Sequence, residues 1–86
     1  AELGPHNVRV NCIAPGLVRT HFARTLWENP EIARAAQAHT PLRRLGEPDD
    51  VAGAAVFLSA PAARFVTGQV IVVDGGATVA GSSLGE

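Results

Sequence analysis

Tyrosine, lysine and methionine are absent from these 86 residues, and cysteine and tryptophan occur once each. Without tyrosine or lysine the chain has no phenol or amine side chain to offer to acid–base chemistry. The lone Cys12 excludes an internal disulfide and fits a reducing compartment. His6, His21 and His39 have no metal-ligand spacing with it, so no metal site is expected. Seven cationic and eight acidic residues, for a net charge of −1, leave no basic stripe for nucleic acid and no polyanionic tail. The longest mostly apolar stretch, Val51 to Ala60, is too short to span a bilayer, and no secretory pattern opens the chain. These absences predict a soluble, cytoplasmic protein with neither nucleic acid nor membrane as partner.

What is present is apolar: 47% of residues are hydrophobic and only 17% charged. A chain of this length forms one small domain at most, and buries only about 60–65% of its surface. Runs such as Val70-Ile71-Val72-Val73 read as a strand that needs cover on both faces. Ala1 to Pro5 resembles the last turn of a helix with its Gly-Pro stop, so the start is expected to be a cut in a longer chain. Val8 to Ala14 reads as a strand ending at Pro15-Gly16. Residues 17–47 form a lid and connecting loop, long for a plain connection, in which Asn29 caps a helix over residues 30–38. The clearest helix is Pro48 to Ser59. Proline stands at its first position, Asp49 and Asp50 lie at the positive end of its dipole, and Val51, Ala54, Ala55 and Leu58 share one face. The loop from Ala60 to Gly68 leads to a strand over Gln69 to Val73, closed by Asp74-Gly75-Gly76, where at least one unusual φ is needed. The last ten residues are small and polar and are expected to be loosely held. Strand, helical lid, helix, strand is the grammar of an α/β parallel sheet, and two strands are too few to complete one.

Three segments carry a resemblance at characteristic spacing: Asn7 to Thr20 (NVRVNCIAPGLVRT), Pro41 to Ala52 (PLRRLGEPDDVA) and Thr67 to Gly76 (TGQVIVVDGG). Together they resemble the C-terminal region of the short-chain dehydrogenase/reductase family, in its carbonyl reductase or 3-oxoacyl-carrier-protein reductase branches. The resemblance implies the C-terminal strand–lid–helix–strand part of a Rossmann-like doubly wound sheet, with residues 1–86 as one fragment of a single domain. It further implies an NAD- or NADP-dependent parent protein that interconverts carbonyl and alcohol groups of a small substrate. The family's catalytic serine, tyrosine and lysine and its TGxxxGxG turn lie upstream in that pattern. No catalytic residue is therefore assigned here, and the chain alone is expected to be inactive. The choice between NAD and NADP is made at an absent position.

By the same resemblance, Pro15 and Gly16 seat the nicotinamide. The main-chain groups of Val18 hydrogen-bond its carboxamide, and the Thr20 hydroxyl bonds the carboxamide or a phosphate. Phe22, Leu26 and Trp27 are the expected substrate lining, with Trp27 foremost, and closure of the lid would exclude water. Asn11 is expected to be a structural hydrogen-bonder, Cys12 a small core residue, and Arg43 and Arg44 surface residues. The last helix and strand are expected to pack against their copies in a homo-oligomer. The rival expectation is a stand-alone truncated chain acting as an interaction module or an inert fragment.

Overall fold

The computed structural model describes residues 1–80. Strand β1 (Cys12–Pro15) is followed by the short helix α1 (Arg24–Trp27), then α2 (Pro30–Ala38), α3 (Pro48–Ser59), strand β2 (Val70–Val73) and one helical turn, α4 (Ala77–Ala80). The strands pair in parallel, Cys12 opposite Val70 and Pro15 opposite Val73. Helix α3 crosses between them and packs on both.

Local chemistry accounts for each boundary. Helix α3 begins at Pro48 because the Asp50 carboxylate accepts the Glu47 N–H at 2.7 Å, meeting an orphan donor of the first turn. Helix α2 begins at Pro30 because the Asn29 side chain accepts from the N–H groups of Glu31 and Ile32, at 3.0 and 3.4 Å. Both helices have the bounds that the sequence predicts. Asp74 ends β2 and caps α4, its carboxylate accepting from Gly76 N–H at 2.9 Å and Thr78 N–H at 2.8 Å. Gly75 and Gly76 take φ of 64° and 94°, as the turn requires. The expected loose tail is helical over its first four residues, and the remainder lies outside the described residues.

Three other expectations are corrected. The first residues form no helix end: Gly4–His6 is a 3₁₀ turn, and the left-handed cap is Asn7, at φ 60°, with its N–H on the Gly4 carbonyl. Strand β1 is shorter than residues 8–14, because up to Asn11 the chain pairs with a loop. There Val10 N–H donates to the Thr67 hydroxyl at 3.1 Å and Gly68 N–H to the Val10 carbonyl at 2.8 Å. Pro15 joins the strand at no cost in ladder bonds. Cys12 and Gly16 donate to the Gln69 and Val73 carbonyls, so the intervening residues Ile13 and Pro15 face the other edge. Lastly, Ala55 is exposed on α3, whereas Val51, Ala54 and Leu58 are half-buried.

Arg9 and Asn11 clasp the return loop. The Arg9 guanidinium donates to the Leu58 carbonyl at 2.8 Å and the Val66 carbonyl at 3.1 Å, closing the C-terminal end of α3. Asn11 donates to the Val66 carbonyl and accepts from Gln69 N–H, both at 3.0 Å, which is the structural role expected of it.

Only one face of the sheet is covered by the described residues. Ile13, Ile71 and Val73 are half-buried, while Val70 and Val72 are 64% and 49% exposed, and Cys12, expected in a core, is exposed with them. Among the described residues the buried apolar side chains are Val18, Leu45 and Ala63. The radius of gyration, 15.6 Å, exceeds the ~12 Å of a compact domain this long. No helix among the described residues is long and apolar enough to cross a membrane.

Candidate functional site

Beyond β1 the chain turns at Gly16 and enters the excursion of residues 17–47, whose two ends meet. Val18 and Gly46 form an isolated parallel bridge: Gly46 N–H donates to the Leu17 carbonyl at 2.9 Å, and Arg19 N–H donates to the Gly46 carbonyl at 2.8 Å. A side chain on Gly46 would stand 3.2 Å from Val18 Cγ2, so this neck closes tightly.

The bridge decides where Val18 points. In a parallel pairing, alternate residues present their backbone groups to opposite edges. Leu17 and Arg19 turn theirs to Gly46, so Val18 turns its N–H and carbonyl away from it. Val18 is only 8% exposed, and its N–H donates to nothing among the described residues. Its carbonyl accepts Thr20 N–H at 2.8 Å and keeps a second lone pair.

Thr20 is held from three directions. Besides its N–H on Val18, its hydroxyl oxygen accepts Ala23 N–H at 3.1 Å, which leaves the hydroxyl proton free to donate. The Trp27 indole N–H donates to the Thr20 carbonyl at 2.7 Å. Arg19 lies over the Trp27 ring, 5.1 Å from its centroid, and pairs with Glu47 at 3.4 Å. Such an exposed ion pair contributes little by itself.

Of the residues singled out in the sequence, Pro15, Gly16, Val18 and Thr20 thus form one continuous turn, joined by Trp27. Phe22 stands apart, 98% exposed, and Leu26 is 46% exposed on α1. Gly16 has an internal reason to lack a side chain, since a Cβ there would lie 2.9 Å from Asp74 Cβ. The turns after β1 and β2 therefore touch. They wall a pocket of about 350 Å³ whose far side is Ala36, Thr40, Leu42 and Leu45. Sequence reading passed over Thr40, whose hydroxyl donates to the Ala36 carbonyl at 2.6 Å and which is buried. A second pocket, about 370 Å³, lies between Arg19, Trp27, Gln37 and Glu47. Among the described residues no group of three or more histidine, cysteine or acidic side chains could hold a metal ion.

Two carboxylates here are held charged. Hydrogen bonds from Thr78, side chain first and then N–H, and from Gly76 N–H lower the pKa of Asp74. Arg44, bonded to both Asp50 oxygens at 2.8 and 3.2 Å, and then Glu47 N–H lower Asp50 to about 2. Because the folded value is depressed, the Arg44–Asp50 contribution is complete above the ordinary value of 3.8 and is lost as pH falls through about 2. An NMR titration of the Asp50 carboxyl should show that low midpoint, and a midpoint near 3.8 would contradict it.

A parallel β–α–β unit whose strands end in touching turns, with a closed excursion between the first strand and the helix, is a piece of a Rossmann-like α/β fold. Residues 1–78 match the family described as enoyl-(acyl carrier protein) reductase. The chain is 48% identical over 75 residues to human dehydrogenase/reductase SDR family member 4, covering 87% of this chain and 27% of that protein. It belongs to the short-chain dehydrogenase/reductase family.

Two solved structures superpose on it closely. A short-chain type dehydrogenase/reductase from Mycobacterium ulcerans is 51% identical with a TM-score of 0.86, over 91% of this chain and 28% of that one. A 7α-hydroxysteroid dehydrogenase complexed with NADH and 7-oxo glycochenodeoxycholic acid is 49% identical with a TM-score of 0.82, over 87% and 29%. The chain thus spans under a third of the length of these relatives.

Proposed function

We propose that these residues are the C-terminal part of an NAD- or NADP-dependent oxidoreductase that interconverts a carbonyl and an alcohol. One observation carries the reading: the N–H of the buried residue Val18, without an acceptor among the described residues, stands beside the Val18 carbonyl and a Thr20 hydroxyl with a free proton. A primary carboxamide offers the complementary acceptor and donors. The fold puts this set at the carboxyl end of a parallel strand, where ligands of open α/β sheets bind, and a relative of this chain is complexed with NADH.

When bound, the nicotinamide supplies a hydride at its C4 carbon. The part of these residues is orientation. Val18 and Thr20 fix which ring face meets the substrate, while Pro15 and Gly16 hold the turn against Asp74. Residues 17–47 act as the lid, and Phe22 and Leu26, exposed on it, meet a small carbonyl or alcohol substrate once it closes. By the family resemblance, proton transfer falls to a tyrosine–lysine pair, neither member of which occurs among these residues.

Apolar residues exposed on α3 and β2, Val56 and Phe57 on one and Val70 and Val72 on the other, favour a homo-oligomer built through the last helix and strand. The single cysteine fits a cytoplasmic setting.

The test is a panel of aldehydes and ketones offered to the full-length protein with NADH and with NADPH. Consumption of at least one cofactor is expected. The 86 residues alone should show neither turnover nor a cofactor-induced thermal shift. A full-length protein inert to both cofactors, with no thermal shift, overturns the reading.

A further inference from the structure

We infer that Trp27 is a positioning residue: from the lid helix α1 it fixes the Thr20 carbonyl, and through it the aim of the Thr20 hydroxyl. The inference rests on the proposed cofactor reading and reassigns a side chain that sequence reading gave to the substrate.

Three observations support it. The indole N–H, the only polar group of the Trp27 side chain, is committed to the Thr20 carbonyl at 2.7 Å and so is spent inside the protein. The ring is half-buried, with the Arg19 guanidinium 5.1 Å from its centroid, so one face is taken as well. The Thr20 hydroxyl oxygen, for its part, accepts the Ala23 N–H at the start of α1.

The segment from Thr20 to Trp27 is thus a closed ring of eight residues, fastened at its first turn by Ala23 and at its far end by the indole. Helix α1 has only four residues, too few to hold itself in water, so it needs support from outside, which these two bonds supply together with its packing on α2. Freeing the indole would let the Thr20 peptide rotate and turn the hydroxyl proton from its target. The seat for the nicotinamide end therefore depends on α1 being formed.

The experiment is a double-mutant cycle in the full-length protein, with Trp27→Phe, Thr20→Val and both together. Trp27→Phe keeps an aromatic face beneath Arg19 but loses the donor together with part of the ring. It should raise the cofactor KM on the order of fivefold, with substrate KM and melting temperature little changed. In the Thr20→Val background there is no hydroxyl to misaim, so Trp27→Phe should then have almost no effect on cofactor KM. Additive effects, or an unchanged cofactor KM in Trp27→Phe, would overturn the inference.

If phenylalanine unfolds the lid, benzothienylalanine at position 27 keeps the bicyclic shape and replaces N–H by sulfur. The same fivefold rise is expected, and wild-type behaviour would refute the role of the hydrogen bond. A wild-type protein that uses neither NADH nor NADPH would instead refute the cofactor reading beneath it.

Discussion

Gly16→Ala is expected to lower the stability of the full-length protein by about 2–3 kcal/mol, as overpacking of a tight site does. For a domain of about 250 residues that is a fall of roughly 4–10 °C in melting temperature. The added carbon would lie 2.9 Å from Asp74 Cβ and 3.0 Å from Asp74 Cα, and neither side can yield cheaply. Asp74 is anchored by its bonds to Gly76 and Thr78, and Gly16 by its N–H on the Val73 carbonyl at 3.0 Å. Relief of the clash must open the ladder at the end of the sheet or uncap α4. Gly53→Ala provides the contrast. Gly53 sits inside α3 with nothing within 4 Å of a new Cβ, so alanine should stabilise by about 0.5–1 kcal/mol. Thermal unfolding of the two variants checks the pair, and equal shifts would show that turn contact is unimportant.

Thr20→Val should raise the cofactor KM about tenfold, the loss of one well-placed hydrogen bond, while the substrate KM stays within about twofold. The methyl group also leaves the Ala23 N–H without its acceptor, as in the loss of a helix cap, at about 1 kcal/mol. That is a shift of roughly 2–4 °C in a domain of this size. Steady-state kinetics with cofactor and substrate varied in turn, together with thermal unfolding, separate the two effects. Thr20→Ser, which keeps the hydroxyl, should restore most of the cofactor affinity. A loss of stability with no change in cofactor KM would make Thr20 a structural cap alone.

Elements governed by neighbours in sequence were legible in the sequence. Pro48 to Ser59 and Pro30 to Ala38 begin where a capping side chain lies within three residues, and Gly75 and Gly76 mark their own turn. What was not legible depends on partners far along the chain. The length of β1 is set by Thr67 and Gln69, more than fifty positions away. The 3₁₀ turn at Gly4 takes its left-handed cap from Asn7, where the glycine itself drew the eye. Cys12 reads as core only if both sheet faces are covered. Arg9 closes the end of α3, for which an arginine before a strand gives no signal.

The same division runs through the site. Pro15, Gly16, Val18 and Thr20 lie within six residues of one another and came from the resemblance. The direction of the Val18 N–H came from Gly46, nearly thirty positions later, and the use of Trp27 came from a bond that spacing alone does not reveal.

The neck at Val18 and Gly46 also bears on how such a chain could diversify. Because the excursion is tied off by two backbone bonds at its base, its interior could be lengthened or rewritten without tugging on the sheet. Each doubling of loop length costs only about 0.6 kcal/mol in closure entropy. The Thr20–Trp27 ring would stay as a fixed collar, and the rest of the excursion would behave as an exchangeable cassette. New substrate preferences could then arise by swapping that cassette, while the turn beneath it keeps its shape.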